Sequence, residues 1–252
     1  MDLQLTGKSC LITGASRGIG LGTSKIMAAE GCRVALVARR KHLLEELADE
    51  IANAGHYRPI VIEEDVTRQG AAEQIRERVY HSFGGLDILV NNAGGSRPVE
   101  WNAPNDVWHE GMTLNFEMVR QLTNQFISGM RKQKYGRVIN ITGASEPTGV
   151  NVAITAKAAV HMWSKGLSRV VAADGVTVNN VPPGRINSEQ ILERLYPDPL
   201  ERERFAKAEI PIGHFGEPED MGHLIAFLSS PLARYITGEV IHVDGGMHRF
   251  PL

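Results

Sequence analysis

The chain has 252 residues, 42% of them apolar and 22% charged, and a formal net charge of -2. These values fit one globular domain with a sizeable core and require no second domain. The nearly neutral charge gives no reason to expect nucleic acid or an anionic membrane as a partner, and the nine histidines show no ligand spacing, so we assign no metal. The first residues carry neither a basic leader nor a long apolar run, from which we expect neither secretion nor membrane insertion. Cys10 and Cys32 are expected to be small core residues in a reducing compartment.

A glycine-rich turn near the start of the chain is the strongest motif. It reads TGASRGIG from Thr13 to Gly20, between an apolar run that ends at Ile12 and a predicted helix. Glycines in such a turn allow a sharp bend and a close approach of the ligand and the sheet to the helix start. The free N–H groups and the positive dipole end of that helix favour a pyrophosphate. The motif therefore predicts a dinucleotide site. To this site we assign Gly14, Ser16, Arg17, Gly18, Ile19 and Gly20.

The end of the second predicted strand bears on the choice of cofactor. The run RVALVARR ends in Arg39 and Arg40, where an acidic residue would hold a ribose 2′-hydroxyl. Arginines suit a 2′-phosphate instead, and Arg17 adds a second guanidinium nearby. A solvated basic loop edge is the alternative interpretation. We expect NADP(H) rather than NAD(H).

Strand and helix patterns alternate along the rest of the chain. Further strands are predicted at 59–66, 86–95, 136–142, 176–181 and 237–246, and helices at 41–54, 69–83, 105–130, 152–173 and 217–230. This alternation predicts an α/β fold, a single doubly wound Rossmann-type domain over residues 1–252, with about seven parallel strands and helices on both faces. The charged, proline-bounded segment at about 187–211 is predicted to be a helical substrate lid.

Several side chains are predicted to meet at the carboxyl edge of this sheet, where an open parallel sheet binds its ligand. Asp65 closes the third strand and can accept a hydrogen bond from an adenine amino group, or it can form a turn with Thr67. Asn91, Asn92, Ala93 and Gly94 bring small residues and amides to the end of the fourth strand. Asn115 lies in the middle of the long predicted helix, where asparagine has poor propensity.

These motifs, taken together, resemble the classical short-chain dehydrogenase/reductase family over nearly the whole chain. The matching stretches are TGASRGIG at 13–20, NNAG at 91–94, Asn115, AITAKAA with Lys157, NNVPPGR at 179–185 and YITGEVIHVDGG at 235–246. The pattern is similar to the branch that contains ketoacyl-carrier-protein reductases and sugar or polyol dehydrogenases. The resemblance implies a nicotinamide cofactor, a small-molecule carbonyl or alcohol substrate, a cytoplasmic enzyme and a homotetramer. It also implies cofactor contacts from Asp65, Val66, Asn91, Ala93, Gly94, Lys157, Pro183, Gly184, Ile186 and Ser188.

The resemblance breaks at the catalytic centre. The family uses Asn, Ser, Tyr and Lys, with the last two spaced Tyr-x-x-x-Lys. Lys157 matches, but the tyrosine position holds Ala153 and the serine position holds Gly143. The loop between them looks about three residues shorter than is usual in the family. A single engineered change would not explain all three departures, so we favour natural divergence.

The remaining catalytic candidates are Asn115, Lys157 and Ser145, whose hydroxyl could orient an oxygen or simply belong to a turn. We expect Thr142 to point to the other face of the sheet and His161 to be an interface residue. Two hypotheses stay open. One is an active NADP(H)-dependent oxidoreductase that uses water, Ser145 or Lys157 in place of tyrosine. The other is an NADP(H)-binding protein without redox activity, such as a sensor, a partner subunit or a non-redox catalyst. We favour the first, because the cofactor motifs and the lid are intact.

Overall fold

Six parallel strands form the central sheet of the computed structural model, which describes residues 1–143, 146–147, 149–189 and 191–250. The strands are β1 (Ser9–Thr13), β2 (Arg33–Ala38), β3 (Ile60–Glu63), β4 (Ile88–Asn91), β5 (Gly136–Ile141) and β6 (Val176–Val181). Their order across the sheet is β3-β2-β1-β4-β5-β6. The chain therefore starts in the centre and winds outward in both directions. The direction changes between β1 and β4, which opens a crevice at their carboxyl ends.

Helices cover both faces of this sheet. They are α1 (Gly18–Ala29), α2 (Lys41–Asn53), α3 (Ala71–Phe83), α4 (Asn105–Met112), α5 (Met118–Lys132), α6 (Val152–Val171), α7 (Pro199–Glu209) and α8 (Pro218–Ser229). Side chains of β1 alternate between the two cores: Ile12 packs with α1, α2 and α8, whereas Leu11 packs with α3 and α5. The doubly wound α/β fold predicted from the sequence is confirmed. Both cysteines are buried and unbridged, as expected.

The predicted count of about seven strands is too high by one. The segment at 237–246 runs beside β6 but makes only isolated parallel bridges, from Val240 to Asn180 and from Val243 to Pro183. Pro182 and Pro183 follow β6 directly and have no N–H to donate, so the ladder cannot continue regularly. The sheet therefore has six regular strands and an irregular edge segment, which backbone hydrogen bonds join to β6 and to the residues after it.

The long helix predicted at 105–130 is interrupted. Between α4 and α5 the backbone makes a π-helical turn at Thr113–Glu117, and Asn115 lies at its middle. π-Helical turns are rare in proteins, and those that do occur often lie at functional sites. Within the parts of the chain listed above, no helix is long and apolar enough to cross a membrane.

The segment predicted to be a lid packs on its own small core. After a π-helical turn at Ile191–Leu195, Tyr196 packs against Phe205 and Phe215, with ring centroids 4.9 Å and 5.6 Å apart. Ile210 and Ala206 complete this core. Tyr196 therefore seals an apolar contact within this segment.

Candidate active site

The glycine turn closes tightly at the carboxyl end of β1. Gly14 has a φ of +65°, and a Cβ there would lie 2.9 Å from Nδ2 of Asn92. A Cβ on Gly20 would lie 2.4 Å from the carbonyl oxygen of Gly14, so neither position tolerates a side chain. The Asn92 amide fixes the turn by donating to the carbonyl oxygens of Thr13 at 2.9 Å and Gly14 at 3.2 Å. The sequence places Asn92 at this edge of the sheet, and the structure shows that its side chain fixes the glycine turn.

The start of α1 is suited to an anion. Its N-cap residue, Arg17, has extended backbone and makes no side-chain capping hydrogen bond. The first N–H groups of the helix therefore have no side-chain acceptor, which is the condition for binding a pyrophosphate. Ser188 lies over this turn, since a Cβ on Gly18 would be 3.0 Å from the Cβ of Ser188.

Asn115 and Lys157 converge on Gly94, just past the end of β4. A Cβ on Gly94 would lie 2.9 Å from Oδ1 of Asn115 and 3.7 Å from Nζ of Lys157. Asn115 is 2% exposed, and it accepts from the N–H of Gly95 at 3.1 Å while donating to the carbonyl oxygen of Gly111 at 2.9 Å. These two hydrogen bonds hold the Asn115 side chain beside the lysine.

Lys157 is an ionisable side chain that lies beside Asn115 and Gly94. Its Nζ donates to the carbonyl oxygen of Thr142 at 3.0 Å. Burial of the side chain disfavours the charged form and lowers the pKa of Lys157 from 10.5 to about 8. A lysine in this range can exchange a proton near neutral pH, which an exposed lysine does poorly.

The two positions that depart from the family carry no hydroxyl. Ala153 lies one turn before Lys157 on the same side of α6 and is 2% exposed. Gly143 lies so near the lysine that a Cβ there would be 3.3 Å from Cδ of Lys157. Ser145 lies outside the described residues, so the structure does not bear on its assignment.

Thr142 occupies a different place from the one expected. From the sequence we expect its side chain to face away from this site; in the structure its Oγ1 lies 2.8 Å from Nε2 of partly buried His161. Burial, His242 and Lys157 lower the pKa of His161. The spacing of four residues from Lys157 is the sequence signal that places His161 near this site.

Three arginines border the glycine turn, and they are not equivalent. Arg40 donates to both carboxylate oxygens of Glu189 at 3.1 Å, and Arg17 lies 3.3 Å from the same carboxylate. Arg39, whose side chain is 78% exposed, lies 3.8 Å from Oδ2 of Asp65. From the sequence, Arg40 is grouped with Arg39 at the end of the second strand. Arg40 directly precedes α2, and this position places its side chain at the site.

The other predicted contacts fall into two groups. Val66, Asn91 and Ala93 line one cleft with Thr13. The Asn91 side chain, however, points into a buried network, donating to Asn140 Oδ1 at 2.8 Å.

The residues after β6 make up the second group. Gly184 packs so closely that a Cβ would lie 2.6 Å from Cα of Asp244, and Pro183 and Ile186 make backbone bridges to Val243 and Gly216.

Asp65 and Ile19 have structural roles. The Oδ1 of Asp65 accepts hydrogen bonds from the backbone N–H and the hydroxyl of Thr67, which is the turn interpretation of Asp65. Partly buried Ile19 packs against the core.

The open parallel sheet and the glycine turn at the point where strand order reverses define a Rossmann-type dinucleotide-binding domain, with buried Asn115 and partly buried Lys157 beside the turn. A family model described as Enoyl-(Acyl carrier protein) reductase matches residues 14–248. The chain is 34% identical to a 3-oxoacyl-(acyl-carrier-protein) reductase of Vibrio cholerae over 250 residues, 98% of this chain and 99% of the relative. It is 33% identical to the enzyme of that name from Escherichia coli, with the same coverage.

Solved structures give the same result. L-sorbose reductase from Gluconobacter frateurii, in complex with NADPH and L-sorbose, superposes with a TM-score of 0.93 at 31% identity, covering 99% of this chain and 100% of that one. A short-chain type dehydrogenase/reductase from Mycobacterium marinum gives 0.88 at 31% identity, covering 97% of both chains. The chain belongs to the short-chain dehydrogenase/reductase family.

Proposed function

We propose that this protein is an NADP(H)-dependent oxidoreductase of small carbonyl or alcohol substrates, in which Lys157 moves the proton that a tyrosine moves elsewhere in the family. The observation that carries the proposal is the partly buried Lys157 ammonium, with a pKa lowered to about 8, beside Asn115 and one turn from Ala153. The names of the relatives support the substrate class, since they are reductases of ketoacyl groups and of a ketose.

The residues present fit a nicotinamide dinucleotide. The missing side chains at Gly14 and Gly20 let the turn close tightly against the helix start, and the start of α1 offers N–H groups without a side-chain cap. The missing side chain at Gly94 lets Asn115 and Lys157 approach the end of β4. Arg17, Arg39 and Arg40 would hold a ribose 2′-phosphate, and the sorbose reductase structure contains NADPH. When bound, the cofactor supplies the hydride, and the protein supplies orientation and the proton.

Lys157 can supply that proton. A carbonyl that becomes an alcohol needs one proton at its oxygen. An N–H bond of the Lys157 ammonium breaks as the O–H bond forms, which leaves a neutral amine, and the amine then takes a proton from water. With a pKa of about 8 the lysine is mostly charged at neutral pH, so the donor form is present. The hydrogen bond to the Thr142 carbonyl oxygen holds the ammonium in place.

The loss of the tyrosine and the serine favours the second hypothesis, a protein that binds NADP(H) without turnover. General acid catalysis is worth about 10²–10⁴ in rate, so a protein without any donor would be nearly inactive. Under the first hypothesis Lys157 donates a proton to the substrate as well as contributing to binding. Under the second it contributes to binding alone.

Turnover measurements separate these hypotheses. Three proteins are compared: wild type, Lys157→Met and the control Lys165→Met, which changes an exposed lysine on the same helix. Each is mixed with saturating NADPH and a panel of ketoacyl thioesters, ketoses and simple ketones. The nicotinamide absorbance reports turnover. We expect slow turnover in wild type and Lys165→Met, and a loss of about 10²-fold or more in Lys157→Met. NADPH binding without any turnover in wild type would contradict the proposal and support the binding protein.

We also propose a homotetramer, as in the family. Met162 and Val170 are 77% and 63% exposed, and with Gly166 they share one face of α6. An exposed apolar stripe on a long helix suits packing against its own copy in a symmetric assembly. Light scattering at micromolar concentration tests this assembly, and a monomer mass would contradict it.

A further inference from the structure

Glu189 lies where three distant parts of the chain meet. Its carboxylate accepts from both terminal nitrogens of Arg40 at 3.1 Å, and its Oε1 is 3.3 Å from Nη1 of Arg17. Arg40 also donates to Oγ of Ser16 at 3.3 Å. Ser16 and Arg17 belong to the glycine turn, Arg40 directly precedes α2, and Glu189 begins the segment predicted to be a lid. The carboxylate thus bridges the lid and the cofactor-binding edge.

The geometry of this contact resembles the way arginine binds phosphate. A guanidinium presents two parallel N–H groups to a carboxylate or a phosphate, so the two anions compete for the same edge of the side chain. The Arg40 hydrogen bonds, aided by Arg17, also lower the pKa of Glu189, so its carboxylate is ionised at neutral pH. The Glu189 side chain is 30% exposed, which leaves it a solvated position to move to.

We propose that Glu189 is a specificity-determining residue, whose carboxylate occupies the arginine edge that a ribose 2′-phosphate would use and therefore disfavours NADP(H) relative to NAD(H). A 2′-phosphate carries close to two negative charges and must displace this carboxylate or lie beside it. An uncharged ribose 2′-hydroxyl need not displace the Glu189 carboxylate or place a second negative charge beside it. Glu189 thus sets how strongly the arginines select the phosphorylated cofactor. This inference rests on the proposed function, because it requires that the site binds a nicotinamide dinucleotide.

Glu193 offers a matched control within the same segment. Its Oε1 lies 3.7 Å from the same Nη1 of Arg17, and its side chain is 60% exposed. Glu193→Gln and Glu189→Gln each remove one negative charge. Glu193→Gln, however, loses only one ion pair, which is longer than those of Glu189. A general effect of net charge on a polyanionic ligand would appear in both variants, whereas competition for the arginine edge would appear mainly in Glu189→Gln.

The experiment is a set of binding titrations on the full-length protein. NADPH, NADH, adenosine 2′,5′-bisphosphate and AMP are titrated into wild type, Glu189→Gln and Glu193→Gln at fixed ionic strength. We expect Glu189→Gln to bind NADPH and the bisphosphate about three- to tenfold more tightly, with NADH and AMP changed by less than about twofold. Glu193→Gln should shift NADPH by less than Glu189→Gln does. Circular dichroism confirms that the variants are folded, and Glu189→Ala should change affinity in the same direction.

The outcomes distinguish this inference from the proposed function. Wild type that binds NADPH with the same affinity as Glu189→Gln overturns the role of Glu189 and leaves the proposed function intact. A loss of NADH affinity in Glu189→Gln also overturns it, because Glu189 would then be an acceptor for the ribose 2′-hydroxyl. If neither cofactor binds wild type or either variant, the proposed function and this inference fail together.

Discussion

Removing the Lys157 charge should change how the stability of the protein depends on pH. Burial lowers the pKa of this lysine from 10.5 to about 8. At about 1.4 kcal/mol for each pH unit, that difference corresponds to about 3 kcal/mol between the two protonation states in the folded protein. Below pH 8 both the folded and the unfolded states carry the charge, and the folded state bears the cost of burying it. Between about pH 8 and 10.5 the folded state has released the proton while the unfolded state keeps it, so stability rises with pH.

The Lys157→Met variant lacks this ionisation. We therefore expect the free energy of unfolding of wild type, measured relative to Lys157→Met, to rise by about 3 kcal/mol from about pH 7 to about pH 10.5. Urea unfolding followed by circular dichroism, at a fixed protein concentration and several pH values, gives this difference. Comparison with the variant cancels the titration of the other groups. Lys132→Met, at an exposed position near the end of α5, controls for the loss of a lysine side chain as such. A difference between wild type and Lys157→Met that stays constant over this pH range would refute the reasoning.

Two further predictions concern the cofactor and the altered catalytic positions. Arg39→Asp should narrow or reverse the preference for NADPH over NADH, because it places a carboxylate near the 2′ position; equal wild-type affinities in fluorescence titrations would contradict the assignment of the arginines. Ala153→Tyr alone should not produce fast reduction of simple ketones, because the phenol lacks a serine partner at Gly143 and a misplacement of about 1 Å can cost about 10²-fold. We expect recovery to need Gly143→Ser and a longer loop as well, and rapid steady-state turnover by the single variant would show that only one residue is missing.

Much of the fold and part of the site follow from local sequence. The glycine turn, the apolar strands and Lys157 are each specified by residues within a few positions of one another, so their patterns can be read directly. The strand count does not follow in this way, because β-type patterning at 237–246 does not show how regularly the segment pairs with its neighbour. Asn180 and Gly184 donate hydrogen bonds to it, but Pro182 between them has no N–H to donate.

The remaining contacts join residues far apart in the chain. Arg40 and Glu189 are separated by 149 positions, and no periodicity links an arginine before α2 to a glutamate after β6. The contact of His161 with Thr142 depends on how α6 crosses the end of β5. The π-helical turn at Asn115 is a further case, since the sequence shows only a residue of poor helical propensity there. Each of these features is set by packing between elements.

The pH dependence of ketone reduction tests the role of Lys157 most directly. With saturating NADPH and a substrate that wild type reduces, we expect a rate that is constant at low pH and falls above about pH 8, as the ammonium loses its proton. In Lys157→Arg the guanidinium stays charged throughout this range, so any remaining rate should no longer fall near pH 8. A wild-type rate that shows no ionisation near pH 8, or one whose decline persists unchanged in Lys157→Arg, would contradict the account.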